Sequence, residues 1–207
     1  MNNLETVSSF TFGLQALITL FVILDPVGAV PIFLSLVGNR EKRVQRKLAL
    51  QGATSSLLII CTFAIFGQII LNYLHISLSA LQGAGGFLLF LTSMQLLTGT
   101  ASSDEKNPDH LNIAMVPIGT PLLAGPGAIV TTMLYARYAH TPSHKFALGA
   151  AIVGVHLLIA LALYVSTSIM RIVRPAGVQL ITRVVGLLVA ALATEMIVTS
   201  IKGFFNL

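Results

Sequence analysis

Charge is what this sequence has least of: only 9% of its 207 residues are Asp, Glu, Lys or Arg. A water-soluble domain carries about 25%. A deficit of this size, with 55% hydrophobic residues and a mean hydropathy of +0.88, takes most of the chain out of water. Cysteine is nearly absent. Cys61 stands alone among Leu58, Ile59, Ile60 and Phe63, which excludes an intrachain disulfide and a cysteine metal site. It reads as a small buried hydrophobe. Met1 to Ser9 has no Lys or Arg, and the apolar run that follows ends at Asp25-Pro26 without a small-residue cleavage site. That run is therefore expected to be a retained span rather than a signal peptide. Also missing are an HExxH zinc motif, a GxSxG elbow, a Cys/His pair and a phosphate-binding P-loop. The expectation is a protein with no catalytic residues, no cofactor and no metal, and one that draws any energy it uses from a gradient. The formal net charge of +5 does not point to nucleic acid, because the basic residues fall in short segments between apolar runs. Five of them (Arg40, Lys42, Arg43, Arg46 and Lys47) share one short stretch, the pattern of a cytoplasmic membrane loop.

What is abundant is long apolar runs. A membrane-spanning helix needs about 20 mostly apolar residues. Six segments meet that: Phe10–Leu36, Leu48–Leu71, Leu78–Leu97, Ile113–Tyr135, Phe146–Ile169 and Leu180–Ile201. The fold class expected is an all-α membrane protein, 1–207 as a single membrane domain. The polar connections are Val37–Lys47, Asn72–Ser77, Thr98–Asn112, Ala136–Lys145 and Met170–Gln179. The loosest is Ser102–Asn112, with Asp104, Glu105, Lys106 and Asp109. Lys/Arg bias sets orientation. With the N-terminus outside, the inner face receives the basic stretch, Lys106, Arg171, Arg174 and Arg183; only Arg137, Lys145 and Lys202 lie outside. Both termini are expected outside.

The sequence also repeats at an offset of 100 residues. Pro26 falls on Pro126, Val30 on Val130, Leu34 on Leu134, Leu48 on Leu148, Gly86 on Gly186 and Leu88 on Leu188. Leu57-Leu58-Ile59 falls on Leu157-Leu158-Ile159, and Ile69 on Ile169. Leucine matches are cheap in an apolar chain, but the Pro and Gly coincidences share one offset without a gap. Repeat one covers about 10–100 and repeat two about 110–207, so spans one to three map onto four to six. Three is odd, so the second unit enters the membrane from the opposite side. The result is two inverted three-helix repeats, an arrangement of secondary transporters.

Spans one and four each carry a Pro/Gly interruption near the middle, Asp25-Pro26-Val27-Gly28 and Gly125-Pro126-Gly127. Interior proline removes a hydrogen bond and clashes with the preceding turn. Irregular backbone at that depth is tolerated only within protein or against a water-filled cavity. Asp followed by Pro is also a helix start, with Asp as N-cap and Pro at the first helical position. Each repeat is therefore expected to begin a half-helix mid-membrane, whose N–H groups and dipole favour an anion. Asp25 corresponds to Gly125. A substrate site follows: Gly125, Pro126 and Gly127 receive a carboxylate, while Asp25, Pro26 and Gly28 opposite receive an ammonium. That describes a small zwitterion such as an amino acid. The plainer alternative is that Asp25 only caps its helix and the prolines only kink. A charge at bilayer centre costs roughly 2.5–3.5 kcal/mol or more, which makes function the default expectation.

Two more ionisable residues lie at depth. His156, opposite Ser56 in the repeat, is either a proton relay or an interhelical hydrogen bond. Glu195, opposite Gln95, sits nearer the outer end of its span, where it serves proton coupling or snorkels to the surface. Asp25, His156 and Glu195 are the proton-coupling candidates. Gln15, Gln51, Gln68 and Gln82 read as helix–helix contacts, and Gly85, Gly86, Gly186, Ala190 and Ala193 as close-packing positions.

The segment Asp25-Pro26-Val27-Gly28-Ala29-Val30-Pro31-Ile32-Phe33 and the segment Pro121-Leu122-Leu123-Ala124-Gly125-Pro126-Gly127-Ala128-Ile129 resemble the two signature segments of the MarC family. Arg183-Val184-Val185-Gly186-Leu187-Leu188 and Ile201-Lys202-Gly203 are similar to that family's last span. The resemblance covers essentially the whole chain, in order. It implies a six-span prokaryotic inner-membrane protein, related to the multiple-antibiotic-resistance proteins and to SnatA-like small neutral amino-acid transporters, with glycine or alanine as candidate substrates. Nothing in these residues explains a drug pump, since aromatics total 7%. The partners expected are a small zwitterionic solute and the lipid bilayer. The alternative class is a channel, or a transporter for another small solute.

Overall fold

The computed structural model describes residues 7–37, 40–99 and 124–205, and these are helical with no strand among them. The elements are α1 (Ser9–Leu24), α2 (Pro26–Val37), α3 (Lys42–Tyr73), α4 (Leu78–Thr98), α5 (Pro126–Tyr138), α6 (Pro142–Tyr164) and α7 (Ser166–Phe205). Local chemistry explains the boundaries. Ser8, Ser77 and Thr141 each turn a side-chain oxygen to a backbone N–H of the first turn of α1, α4 and α6, satisfying donors that a helix start leaves orphaned. α4 closes on Gly99, whose φ of 76° suits a residue without a Cβ.

Five stretches among the described residues are long and apolar enough to cross a membrane: Ser9–Leu34, Lys42–Tyr73, Leu78–Thr98, Pro142–Tyr164 and Ala176–Phe205. The molecule is an all-α membrane protein. Its outer surface carries Phe10, Leu58, Ile65, Leu157 and Leu187, all well exposed. In water that surface would be prohibitive; in lipid it is solvated. The first half of the expected fourth span, the loop Ser102–Asn112 and Lys106 lie outside the described residues.

Two expected connections are helix instead. Val37–Lys47 was expected to be a polar loop, but Lys42, Arg43, Arg46 and Lys47 belong to the first turns of α3, which has 32 residues. At 1.5 Å per residue that is about 48 Å, well beyond a hydrocarbon core of about 30 Å, so the charged turns project past it. Met170–Gln179 was expected to be a connection as well, yet α7 runs unbroken through it for 40 residues, about 60 Å. The Arg46 guanidinium stands 4.7 Å over the Tyr164 ring, tying the start of α3 to the end of α6.

Packing relies on small residues and close backbones, as expected where lipid and side chains are equally apolar. The most extensive contact joins α4 and α7. There a Cβ on Gly86 would stand 2.9 Å from the Ala193 carbonyl oxygen and 2.9 Å from Ile197 Cγ1. A Cβ on Gly186 would stand 3.3 Å from the Ser93 carbonyl oxygen and 3.3 Å from Leu97 Cγ. These two sets of partners are related by the same offset of 100 as the residues Gly86 and Gly186 themselves. α3 meets α6 through Ser56 and His156, α1 meets α6 at Gly13 and Ala147, and α3 meets α5 at Gly67 and Met133. One core of buried residues draws on α1, α2, α3, α5 and α6, with Phe12, Leu20, Phe33 and Ile152 at its centre.

Candidate functional site

Asp25 sits between α1 and α2 with φ 38° and ψ 69°, a left-handed conformation rare outside glycine. Its N–H donates to the Phe21 carbonyl, closing α1, and its own carbonyl accepts from Ala29 N–H, opening α2. Pro26 takes the first helical position, where its missing N–H costs nothing. The carboxylate folds back over the new helix: Oδ1 accepts from the Gly28 N–H at 3.0 Å. Oδ2 has no hydrogen-bond partner among the described residues, and the residue is only 7% exposed. Gly28 is required here, since a Cβ would come within 2.8 Å of the Asp25 carboxyl carbon and 3.0 Å of the Thr182 hydroxyl. Thr182 on α7 thus borders the same spot.

The second helix start differs. Gly125 is the N-cap of α5 without a side-chain cap, and Pro126 takes the first helical position. Among the described residues a Cβ on Gly125 would meet nothing within 4 Å. Gly127 differs: a Cβ there would stand 2.3 Å from Leu89 Cδ2 of α4, so its absence leaves space for Leu89. Ile23 Cγ2 would lie 3.9 Å from the same Cβ, so the two helix starts are neighbours. Leu24, Ala29, Val30, Ala124 and Ala128 pack into one buried layer at this level.

His156 is only 3% exposed. Its Nδ1 donates to the Ile152 carbonyl at 2.7 Å, which leaves Nε2 to accept from the Ser56 hydroxyl at 3.1 Å. Both ring nitrogens are engaged within the helix packing.

Glu195 belongs to a different feature. A cavity of about 1440 Å³ opens between α1, α4, α5 and α7, bordered by Gln15, Thr19, Gln82, Thr131, Tyr135 and Glu195 among others. Along α7 its lining runs from Ala191 to Gly203, about 18 Å at the helical rise; that is more than half of a hydrocarbon core. Its deep end includes Ile23, two residues before Asp25. Thr19 Oγ1 and the Tyr135 hydroxyl share a hydrogen bond of 3.0 Å across it. The expected site residues therefore form two groups. Asp25, Pro26 and Gly28 form one compact cluster, with Gly125, Pro126 and Gly127 at the neighbouring helix start; Glu195 lines the cavity, and His156 is among neither.

Sequence reasoning took Gln15 and Gln82 for helix contacts and did not single out Thr131 or Tyr135. A usable signal was the pair Thr131-Thr132, two adjacent hydroxyls one helical turn after Gly127. Among the described residues no group of three or more His, Cys, Asp or Glu is arranged to hold a metal ion.

The sequence model described as "MarC family integral membrane protein" matches residues 10–205. Among relatives, the UPF0056 membrane protein PH0760 of Pyrococcus horikoshii is 34% identical over 91% of this chain and 93% of its own length. The UPF0056 membrane protein YhcE of Escherichia coli is 31% identical over 98% of this chain and 97% of its own. The UPF0056 membrane protein YvbG of Bacillus subtilis is 30% identical over 95% and 97%. No solved structure matches the chain significantly.

Proposed function

Because this chain belongs to the MarC family of integral membrane proteins, we propose that it is a secondary transporter of small neutral amino acids, of the glycine and alanine type, and not an enzyme. Six spans form two inverted repeats. Spans one and four are broken mid-membrane. The protein resides in a prokaryotic inner membrane with both termini outside. The reciprocal contacts of Gly86 and Gly186 support the repeat, as does the direct hydrogen bond between Ser56 and its repeat mate His156. A residue that touches its own symmetry mate lies on a two-fold axis.

The observation that carries the transport reading is the Asp25 carboxylate: buried between two half-helices, with one oxygen unpartnered. A purely capping aspartate needs one oxygen. The second is left for a proton or for a substrate ammonium, while the start of α5 across the buried layer receives the carboxylate. Asp25 and Glu195 are the groups placed to exchange protons with solute or cavity, and His156 is committed to packing. Alternating access follows as the two repeats rock about this centre.

A channel is the competing class, and the large cavity favours it. The buried Asp25 carboxylate favours a carrier, because a channel has no need of a midplane group that changes protonation. Uptake of radiolabelled alanine into proteoliposomes separates the two. A carrier saturates in the millimolar range or below and accumulates solute against its gradient when the pH gradient is imposed. Linear, non-accumulating flux would identify a channel.

A further inference from the structure

The cavity has a polar floor that the two helix starts do not account for. Gln82 on α4 is 3% exposed, and its Nε2 has no hydrogen-bond partner. Thr131 on α5 is 1% exposed, and its hydroxyl likewise has none. Both residues border the cavity. Each unpartnered atom exposes under 1 Å², so bulk water in the vestibule does not satisfy it. Buried polar groups in native proteins are overwhelmingly paired; these two, unlike the equally unpartnered Thr132, belong to side chains that border a cavity able to supply a partner.

Donor and acceptor inventory says what that occupant is. Gln82 Nε2 only donates, and a threonine hydroxyl donates equally well. Two donors on the border of one cavity suit a carboxylate once they turn into it. Among the described residues of the lining Glu195 is the acidic one and Lys202 the basic one; Glu195 sits on α7 within electrostatic range of Tyr135, which follows Thr131 by one turn of α5. A cavity of about 1440 Å³ is far larger than a small solute, so the open vestibule itself confers no selectivity, and discrimination belongs to its floor.

Resting on the transporter reading, we propose that the vestibule floor is a solute site, in which Gln82 and Thr131 donate to the carboxylate of a small zwitterion while Glu195 faces its ammonium. The site lies on the cavity side of the buried layer and is separate from Asp25. Seating the solute needs only rotation of the Gln82 amide and Thr131 hydroxyl toward the cavity. A solute held here waits above Asp25 until the repeats rock.

The test is equilibrium binding of radiolabelled glycine and alanine to purified protein in nanodiscs. Thr131→Val and Gln82→Met each keep shape and remove a donor; each is expected to weaken binding about tenfold, or about 1.4 kcal/mol. Thr132→Val serves as the control, because Thr132 is equally buried and unpartnered but does not border the cavity; its binding is expected to match the wild type. If the wild type binds and Thr131→Val and Gln82→Met bind equally well, the floor site is overturned and the transporter reading stands. If folded wild type binds neither amino acid, both are overturned. A second readout does not depend on those variants folding. In a Cys61→Ser, Ile23→Cys protein, saturating glycine is expected to slow alkylation of the new thiol at the deep end of the cavity. Unchanged alkylation by a glycine-binding protein would overturn the floor site.

Discussion

Substituting Gly86 by Ala puts a number on the α4–α7 contact. The new Cβ would stand 2.9 Å from a backbone carbonyl oxygen and 3.1 Å from a backbone nitrogen of α7. Neither can rotate away, so the helices must separate. A gap of about 0.5 Å forfeits roughly a quarter of each atom-pair attraction along the contact, and overpacking of this kind costs about 1–3 kcal/mol. Alanine also gains about 1 kcal/mol of helix propensity over glycine. Gly149→Ala on α6 supplies that gain alone, because its Cβ would meet nothing within 4 Å among the described residues. The difference between the two variants therefore isolates the clash, at about 1–3 kcal/mol. The assay is thermal unfolding in detergent, read by a thiol-reactive dye on the single, half-buried Cys61. For a chain of this length each kcal/mol moves Tm by about 2–4 °C, so Gly86→Ala should melt at least about 2 °C below Gly149→Ala. Gly186→Ala should behave like Gly86→Ala, and the double variant should fall short of additivity because both push on one interface. Equal melting of Gly86→Ala and Gly149→Ala would refute the packing described for this contact.

Three further outcomes are expected. Ser56→Ala leaves the buried Nε2 of His156 without its donor and should destabilise by about 1–3 kcal/mol, measured by the same melt; the pH profile of uptake should not move, and a shift would reinstate His156 as a proton relay. Tyr135→Phe removes the hydroxyl that bridges to Thr19 and should cost about 0.5–1.5 kcal/mol, with Thr19→Val adding little more in the double variant. Asp25→Ala should lower Tm by more than Asp25→Asn, since Asn keeps an oxygen for the Gly28 N–H and a lost cap costs about 1 kcal/mol.

Much of the helix pattern was legible, and the reasons are local. α4 was expected at Leu78–Leu97 and lies at Leu78–Thr98, because Ser77 and Gly99 bracket an apolar run with strong stop signals. The first turns of α3 were missed because hydropathy ends where the basic residues begin, although Lys, Arg and Gln are good helix formers. A helix can leave the bilayer without ending. Met170–Gln179 was taken for a connection because its polar residues interrupt the apolar run, yet α7 stays helical from Ser166 to Phe205. At the candidate site, Asp25-Pro26 and Gly28 were legible as a helix start because capping chemistry is written in consecutive residues. The cavity was not. Gln82, Thr131 and Glu195 lie on three helices, and only tertiary packing decides which of their faces meet. Gly127 shows the same limit: its neighbour Leu89 is distant in sequence, so a close approach to a helix was read as a close approach to a ligand.

The central claim is that Asp25 couples amino-acid movement to protons, and its most direct test is proton flux itself. Proteoliposomes carrying a trapped pH-sensitive dye would receive alanine outside, with wild type and Asp25→Asn compared at matched, folded protein. The account predicts that alanine acidifies the lumen through the wild type, saturably, and that Asp25→Asn abolishes the proton signal. Alanine entry through the wild type without any proton movement, or an unaltered proton signal in Asp25→Asn, would contradict it.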